Sequence, residues 1–226
     1  MFAVPCGPLR VNSWIVPLTD TTCIVVDPAA DSAWGDADAL SARLRQLKLQ
    51  PVAAVLTHGH FDHVAGLSAF HAQYAAAPVL IHMADSDCIG ADGRKIQART
   101  LHLMGIGHLA SAFENMPPAT AFLEDGHTLA EYVPAADSET SGALLQWHIV
   151  HTPGHSPGSV CLHNAARKVL VSGDTVFFRS WGRTDLPGGN EAQLQKSLRR
   201  IYSEIDADTL VYPGHEHYGF ALSENM

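Results

Sequence analysis

His58, His60, Asp62 and His63 fall within six consecutive positions, in the run Thr57-His58-Gly59-His60-Phe61-Asp62-His63. Imidazole and carboxylate at this density suit zinc, iron or manganese, whereas calcium and magnesium prefer oxygen ligands alone. Pro51 to Leu56, just ahead, is a short apolar run that reads as a buried strand, and Val64 to Phe70, just after, has apolar positions suited to a helix. The four candidate ligands therefore occupy a strand-to-helix turn, where side chains converge. A His-rich surface loop is the bland alternative, and three further stretches argue against it.

Leu144 to Val150 leads through His151-Thr152-Pro153-Gly154 to His155. Lys168 to Ser172 leads through Gly173 to Asp174, and Thr209 to Tyr212 leads through Pro213-Gly214 to His215. Each is an apolar strand, then glycine, then one ligand-type residue. Glycine lets the backbone turn tightly and approach a bound group, and ligand sites in α/β proteins collect at the carboxyl ends of strands. Four strand ends thus carry seven candidate ligands, too many for one tetrahedral ion. The natural division is His58, His60 and His155 on one ion, Asp62, His63 and His215 on a second, and Asp174 bridging them. A water or hydroxide between two such ions, its pKa lowered towards about 7, is a nucleophile at neutral pH. Asp62 is a candidate catalytic residue as well as a ligand, placed to orient that nucleophile or accept its proton. The chain is read as lacking a Gly-x-Ser-x-Gly nucleophile elbow, which disfavours a serine hydrolase.

Several elements must position these groups. Leu9 to Pro17 and Thr22 to Asp27 read as a hairpin turning at Thr19-Asp20-Thr21, with Asn12 and Asp27 assigned to turn and cap chemistry. A helix is expected over Asp36 to Lys48, capped by Asp36 or Asp38, with Leu40, Leu44 and Leu47 on one face. Pro78 to His82 reads as another buried strand, so strands and helices alternate as in an α/β layered fold. His71 and His82 are taken as structural. Residues 84–126 are broken by Gly90, Gly93, Gly105, Gly107 and Pro117-Pro118, and fit either short helices over the site or a homodimer contact. Ala135 to Gly142 reads as a hairpin tip. Phe177 to Gly189 is a long loop just past a ligand, hence a substrate contact. Residues 191–205 form a helix capped by Asn190, with Leu194, Leu198, Ile201 and Ile205 on one face. His151 either orients a ligand or is a core histidine, and the remaining histidines carry no spacing signal.

The totals set outer limits. A chain of 226 residues, 46% hydrophobic and 16% charged, is an ordinary globular composition, read as one domain over 1–226. No run is long enough to span a bilayer, and Met1 to Pro8 has no secretory pattern. Cys6, Cys23, Cys88 and Cys161 form no Cys-x-x-Cys pair, which points to free thiols in a reducing cytoplasm, with Cys23 and Cys161 in the core. A net charge of −9 argues against a nucleic-acid partner.

The run at 57–63, Thr152-Pro153-Gly154-His155-Ser156-Pro157-Gly158-Ser159, Ser172-Gly173-Asp174-Thr175 and Tyr212-Pro213-Gly214-His215 together resemble, in order, the motifs of the metallo-β-lactamase superfamily. The resemblance spans nearly the whole chain. It implies an αββα sandwich: two mixed β-sheets flanked by helices, with metals at one edge. An aspartate at position 174 and the loop Gly182-Arg183-Thr184-Asp185-Leu186-Pro187-Gly188-Gly189 are similar to the short bacterial type of glyoxalase II, the hydroxyacylglutathione hydrolases. That likeness implies two divalent ions, zinc first with iron or manganese as alternatives. It implies hydrolysis of a small-molecule thioester such as S-lactoylglutathione, with Arg183 contacting the substrate. Longer glyoxalase II enzymes carry a C-terminal helical domain with further glutathione contacts, and here either the segment around 93–120 takes that part or the substrate is not a glutathione thioester. Two alternatives share the motifs. One is a persulfide dioxygenase with one iron on His58, His155 and Asp174, and the other is a lactonase or lactamase using the same hydroxide.

Overall fold

The computed structural model describes residues 1–135 and 137–225. Its first sheet has six strands in sequential order. β1 (Phe2–Cys6), β2 (Val11–Pro17) and β3 (Thr22–Val26) are antiparallel. β4 (Gln50–Val55), β5 (Val79–His82) and β6 (Ala121–Leu123) continue it in parallel. In the second sheet β7 (His148–His151), β8 (Val160–Asn164) and β9 (Val169–Gly173) are antiparallel. A two-stranded hairpin of β10 (Val176–Phe177) and β11 (Ser180–Trp181) follows. β12 (Leu210–Pro213) then returns parallel to β9, and β13 (Phe220–Ala221) closes the edge antiparallel to β12.

Burial on both faces explains why the central strands read as unbroken apolar runs. In β3, Ile24 and Val26 enter a core between the sheets with Trp14, Val55, Leu80, Leu162 and Val171. Their neighbours Cys23 and Val25 face outward into a second core. There they meet Leu40 and Leu44 of α1 (Ala39–Leu47), Phe61 of α2 (Phe61–Val64), Leu67 of α3 (Leu67–Gln73) and Leu101 of α4 (Gly90–Leu103). On the far side, Cys161, Leu170 and Val211 pack on Leu194, Leu198 and Ile201 of α6 (Glu191–Glu204). The layers run helix, sheet, sheet, helix, which is the expected αββα sandwich of two mixed sheets. Asn190 caps α6 by accepting from Gln193 N at 3.0 Å. No helix among the described residues is long and apolar enough to cross a membrane.

Three local expectations fail, and one strand goes unread. Phe2 to Cys6 pairs along the edge of β2, a strand that Pro5 within it and Gly7-Pro8 just after it mask. Neither Asp36 nor Asp38 caps α1 with its side chain, because the Asp36 carboxylate takes Gly7 N and Asp31 N instead. Residues 135–142 are not a hairpin tip: Asp137 caps the short α5 (Ser138–Leu144), and Ala136 lies outside the described residues. Gly90 and Gly93 do not break residues 84–126, since both lie within the 14-residue α4.

Candidate metal centre

All four ligand-bearing turns meet where the two sheets share an edge. β4 delivers His58, His60, Asp62 and His63, and β7, β9 and β12 deliver His155, Asp174 and His215. Backbone bonds lock the turns together: across the sheets, Val160 N donates to Thr57 O at 2.8 Å and Asn12 N to Gly214 O at 2.7 Å, and within the second sheet Gly214 N donates to Gly173 O at 2.8 Å.

Three sets of ligand atoms each cluster within 4.8 Å: His58, His60 and His155; Asp62, His63 and His215; and His58, His63 and Asp174. His155 Nε2 stands 3.2 Å from His58 Nε2 and 2.8 Å from His60 Nδ1. His63 Nε2 and His215 Nε2 are 3.2 Å apart, and His215 Nε2 is 3.2 Å from Asp62 Oδ2. Asp174 sits between the triads, with Oδ1 3.3 Å from His63 Nε2 and Oδ2 3.5 Å from both His155 Nε2 and His215 Nε2.

The outer nitrogens of these rings are committed elsewhere, and that fixes which nitrogen looks inward. His155 Nδ1 donates to Arg183 O at 2.8 Å and His215 Nδ1 to Leu9 O at 3.0 Å. His63 Nδ1 donates to Asp27 Oδ2 at 2.8 Å. Thr57 Oγ1 gives its proton to Asp27 Oδ2 at 2.7 Å and so accepts from His58 Nδ1 at 3.0 Å. Four rings therefore aim Nε2 inward, and His60 aims Nδ1. Lone pairs facing one another at 2.8–3.2 Å repel unless a cation or proton lies between them. Asp174 Oδ1, despite its approach to His63, is buried without a hydrogen bond. Inward lone pairs and an orphaned carboxylate oxygen are what a metal cage needs. Zinc–nitrogen bonds of 2.0–2.1 Å imply tetrahedral edges of roughly 3.3 Å, close to the spacings seen here.

Electrostatics divide the cluster. Burial, reinforced by neighbouring imidazoles, lowers the pKa of His58 well below the usual range and that of His60 to about 3. Burial also disfavours charge on His63, but Asp174, Asp62 and Asp27 outweigh it and hold its pKa well above normal. At His215 burial is likewise overcome, chiefly by the hydrogen bond to Asp62 and the charge of Asp174. Asp62 and Asp174 stay ionised despite burial, because His63 lies beside them.

Above the cluster opens a cleft of about 400 Å³. Asp62, Asp174, His60, His155 and His215 form its floor, and Leu9, Phe61, Met104, Phe177, Trp181 and Leu186 its walls. Arg183 stands at the rim, its guanidinium forked onto Asp185 by two 2.6 Å bonds.

The residues sequence reasoning passed over are the supports. Asp27, read as a cap, is 1% exposed and accepts from Thr57 N, Thr57 Oγ1 and His63 Nδ1. The signal was available, since Asp27 ends β3 as the ligands end their own strands. Asn12 donates to Pro213 O and Glu216 O, pinning the His215 turn. His151 does not touch a ligand ring; it bonds Pro157 O at 3.0 Å and stacks on His82 with centroids 4.0 Å apart. The reading that no Gly-x-Ser-x-Gly run exists is corrected by Gly154-His155-Ser156-Pro157-Gly158. Ser156 is nevertheless no nucleophile: it is 2% exposed, and its hydroxyl is bound to Asp85 and Ser159.

Comparison with known proteins gives this arrangement its family. The metallo-beta-lactamase superfamily model matches residues 6–215, and the chain belongs to that superfamily. The probable metallo-hydrolase YqgX of Bacillus subtilis is 29% identical over 212 residues, covering 94% of this chain and 88% of YqgX. The hydroxyacylglutathione hydrolase GloC of Haemophilus influenzae is 25% identical, covering 95% of this chain and 90% of GloC. Among solved structures, the B3 metallo-beta-lactamase BLEG-1 superposes with a TM-score of 0.80 at 28% identity, covering 100% of this chain and 95% of BLEG-1. TTHA1623 in a di-iron-bound form superposes at 0.77 with 28% identity, covering 99% and 96%. Superfamily and fold together place the chain in the metallo-hydrolase superfamily.

Proposed function

We propose that this metallo-hydrolase holds two divalent metal ions and hydrolyses a thioester of the S-lactoylglutathione kind. The observation that carries the reading is Asp174, whose two oxygens face two complete ligand triads at 3.3 and 3.5 Å. His58, His60 and His155 would hold one ion, Asp62, His63 and His215 the other, and Asp174 both. Three carboxylates, Asp27, Asp62 and Asp174, converge on this cluster, in which burial holds His58 and His60 neutral, so it draws cations. Zinc fits the donor set, and the di-iron form of TTHA1623 makes iron the first competitor. What such ions supply is Lewis acidity toward an acyl carbonyl and acidification of water.

The chain's own groups do the rest. Asp62 lies both among the ligand atoms and on the cleft floor, placed to orient an attacking water and hold its proton. The apolar walls exclude competing solvent from the acyl group. The Arg183–Asp185 pair is more than half exposed, so it is worth little and yields to a substrate carboxylate. The net charge of −9 disfavours a polyanion such as nucleic acid, and the charge of a small anionic thioester would have to be met locally, at Arg183. All four cysteines are free thiols, which supports a reducing, cytoplasmic setting.

The test is loss of S-lactoylglutathione by protein of measured metal content. The expected specificity constant is about 10⁴ M⁻¹s⁻¹ or more. No turnover from protein carrying two metals would overturn the thioester reading and direct attention to lactams and lactones, in keeping with the likeness to BLEG-1. Oxygen uptake with glutathione persulfide by protein carrying one iron would overturn hydrolysis itself.

A further inference from the structure

Asp85 sits at the head of the segment that sequence patterning leaves unread, and its carboxylate is 3% exposed. It touches no ligand ring. Its Oδ2 accepts from Gly59 N at 2.9 Å and Ser156 Oγ at 2.6 Å, and its Oδ1 accepts from Gly158 N at 2.7 Å. Gly59 lies between His58 and His60, and Ser156 follows His155. One buried carboxylate therefore ties together the two turns that carry the first triad. Gln97, on α4 and 2% exposed, bonds the next peptide of the same glycine, donating to Gly59 O at 2.8 Å and to Cys88 O at 2.8 Å.

The packing is as close as the bonding. A Cβ on Gly59 would stand 2.6 Å from Cys88 Cβ, and one on Gly158 would stand 2.6 Å from Asp85 Cγ. Glycine is required at both places for the segment to reach the turns. The Lys and Arg ion pairs among the described residues all go to other carboxylates. Asp85 is thus a buried carboxylate satisfied by neutral donors, an arrangement that packing alone does not call for.

We infer that Asp85, backed by Gln97, is a positioning residue for the His58–His60–His155 half alone, so that residues 85–97 set the affinity of one metal site and not the other. The reason is geometric. This triad contains no carboxylate of its own and shares only Asp174, so the placement of its rings depends on the turns that carry them. His60 ligates through Nδ1, the nitrogen nearest its backbone, and follows any movement of the Gly59 peptide. The Asp62–His63–His215 half is held by Asp27, Asn12 and Leu9 O, none of which touches Asp85.

This inference rests on the donor set being a metal site, not on the substrate. The test is a zinc titration against a chromophoric chelator with wild type, Asp85→Ala, Gln97→Ala and Ser156→Ala. In Asp85→Ala one of two zinc equivalents should weaken about 10–100-fold, as loss of an outer support typically does, while the other shifts less than about threefold. Gln97→Ala and Ser156→Ala should weaken the same equivalent by less. If Asp85→Ala fails to fold, the two milder variants decide. Two unchanged equivalents, or two weakened equally, would overturn the assignment. A wild type that takes up no zinc would overturn the metal reading along with it, so the two failures are distinguishable.

Discussion

The two halves of the centre are supported in different ways. In the half built on Asp62, His63 and His215, outer hydrogen bonds reach the rings directly: Asp27 holds His63 and Leu9 O holds His215. Carboxylates raise the pKa of both histidines, so this half draws positive charge by Coulomb attraction. In the half built on His58, His60 and His155, burial and mutual repulsion lower the pKa of His58 and His60. Here the rings that are held directly are held by neutral groups, His58 by Thr57 Oγ1 and His155 by Arg183 O, and Asp85 and Gln97 hold the turns through the backbone. One half is organised by charge and the other by geometry, and two carboxylates span both: Asp174 between the triads, and Asp27, which holds His63 directly and His58 through Thr57.

Removing what is shared should cost most. Asp174→Ala should empty both halves, with activity falling about 10³-fold or more, the several kcal/mol expected of a lost metal centre. Metal analysis and steady-state rates on the same preparation check it, and retention of both metals would break the comparison at its root. A smaller and mostly one-sided loss is expected from Asp27→Ala. It leaves the His63 ring and the Thr57 amide unpaired and should weaken the metal of the Asp62–His63–His215 half about 10–100-fold, with a lesser effect reaching His58 through Thr57. Unmade buried bonds should also lower stability by about 1–3 kcal/mol. The halves are truly distinct only if the equivalent lost here differs from the one lost in Asp85→Ala, which cobalt spectra of the two variants would show.

Acid should separate the halves by another route. In the unfolded chain His58 and His60 titrate near 6.5, whereas in the native state they stay neutral, His60 down to about 3. As pH falls from about 6.5 towards 3 the unfolded state binds protons that the native state refuses, so stability must fall. Metal sharpens the loss because it needs the same neutral nitrogens. Urea melts of the holoprotein between pH 7 and 4 should show the midpoint dropping, and a flat profile would contradict the buried, neutral reading of this half.

What was legible in the chain follows the same division. Ligands that end an apolar strand announce themselves, and so the four turns, the helix at 191–204 and the layered architecture could be read from pattern. The supports were not legible, for two physical reasons. Asp27 and Asp85 act through contacts 30 and 71 residues away in sequence, to Thr57 and Ser156, and such pairings leave no local spacing. Helix α4 was hidden because Gly90 and Gly93, which normally break helices, are there to admit close packing against Pro118 and Met116. Conversely, Ala135 to Gly142 looked like a turn because its small polar residues favour one, yet Asp137 uses that chemistry to start a helix.

The smallest effect is expected outside both halves, at the rim. Arg183 reaches the centre only through its backbone, whose carbonyl accepts from His155 Nδ1. Its guanidinium is shared with Asp185 in an exposed pair. Arg183→Ala preserves the carbonyl and should leave metal content untouched. If the side chain contacts an anionic substrate, KM should rise a few-fold, about 1 kcal/mol, with kcat nearly unchanged. Asp185→Ala should do the opposite by releasing the guanidinium for the substrate, lowering KM. A loss of metal in Arg183→Ala would instead mean that the loop at 182–189 supports His155 through its conformation, adding a third support to the half that depends on geometry.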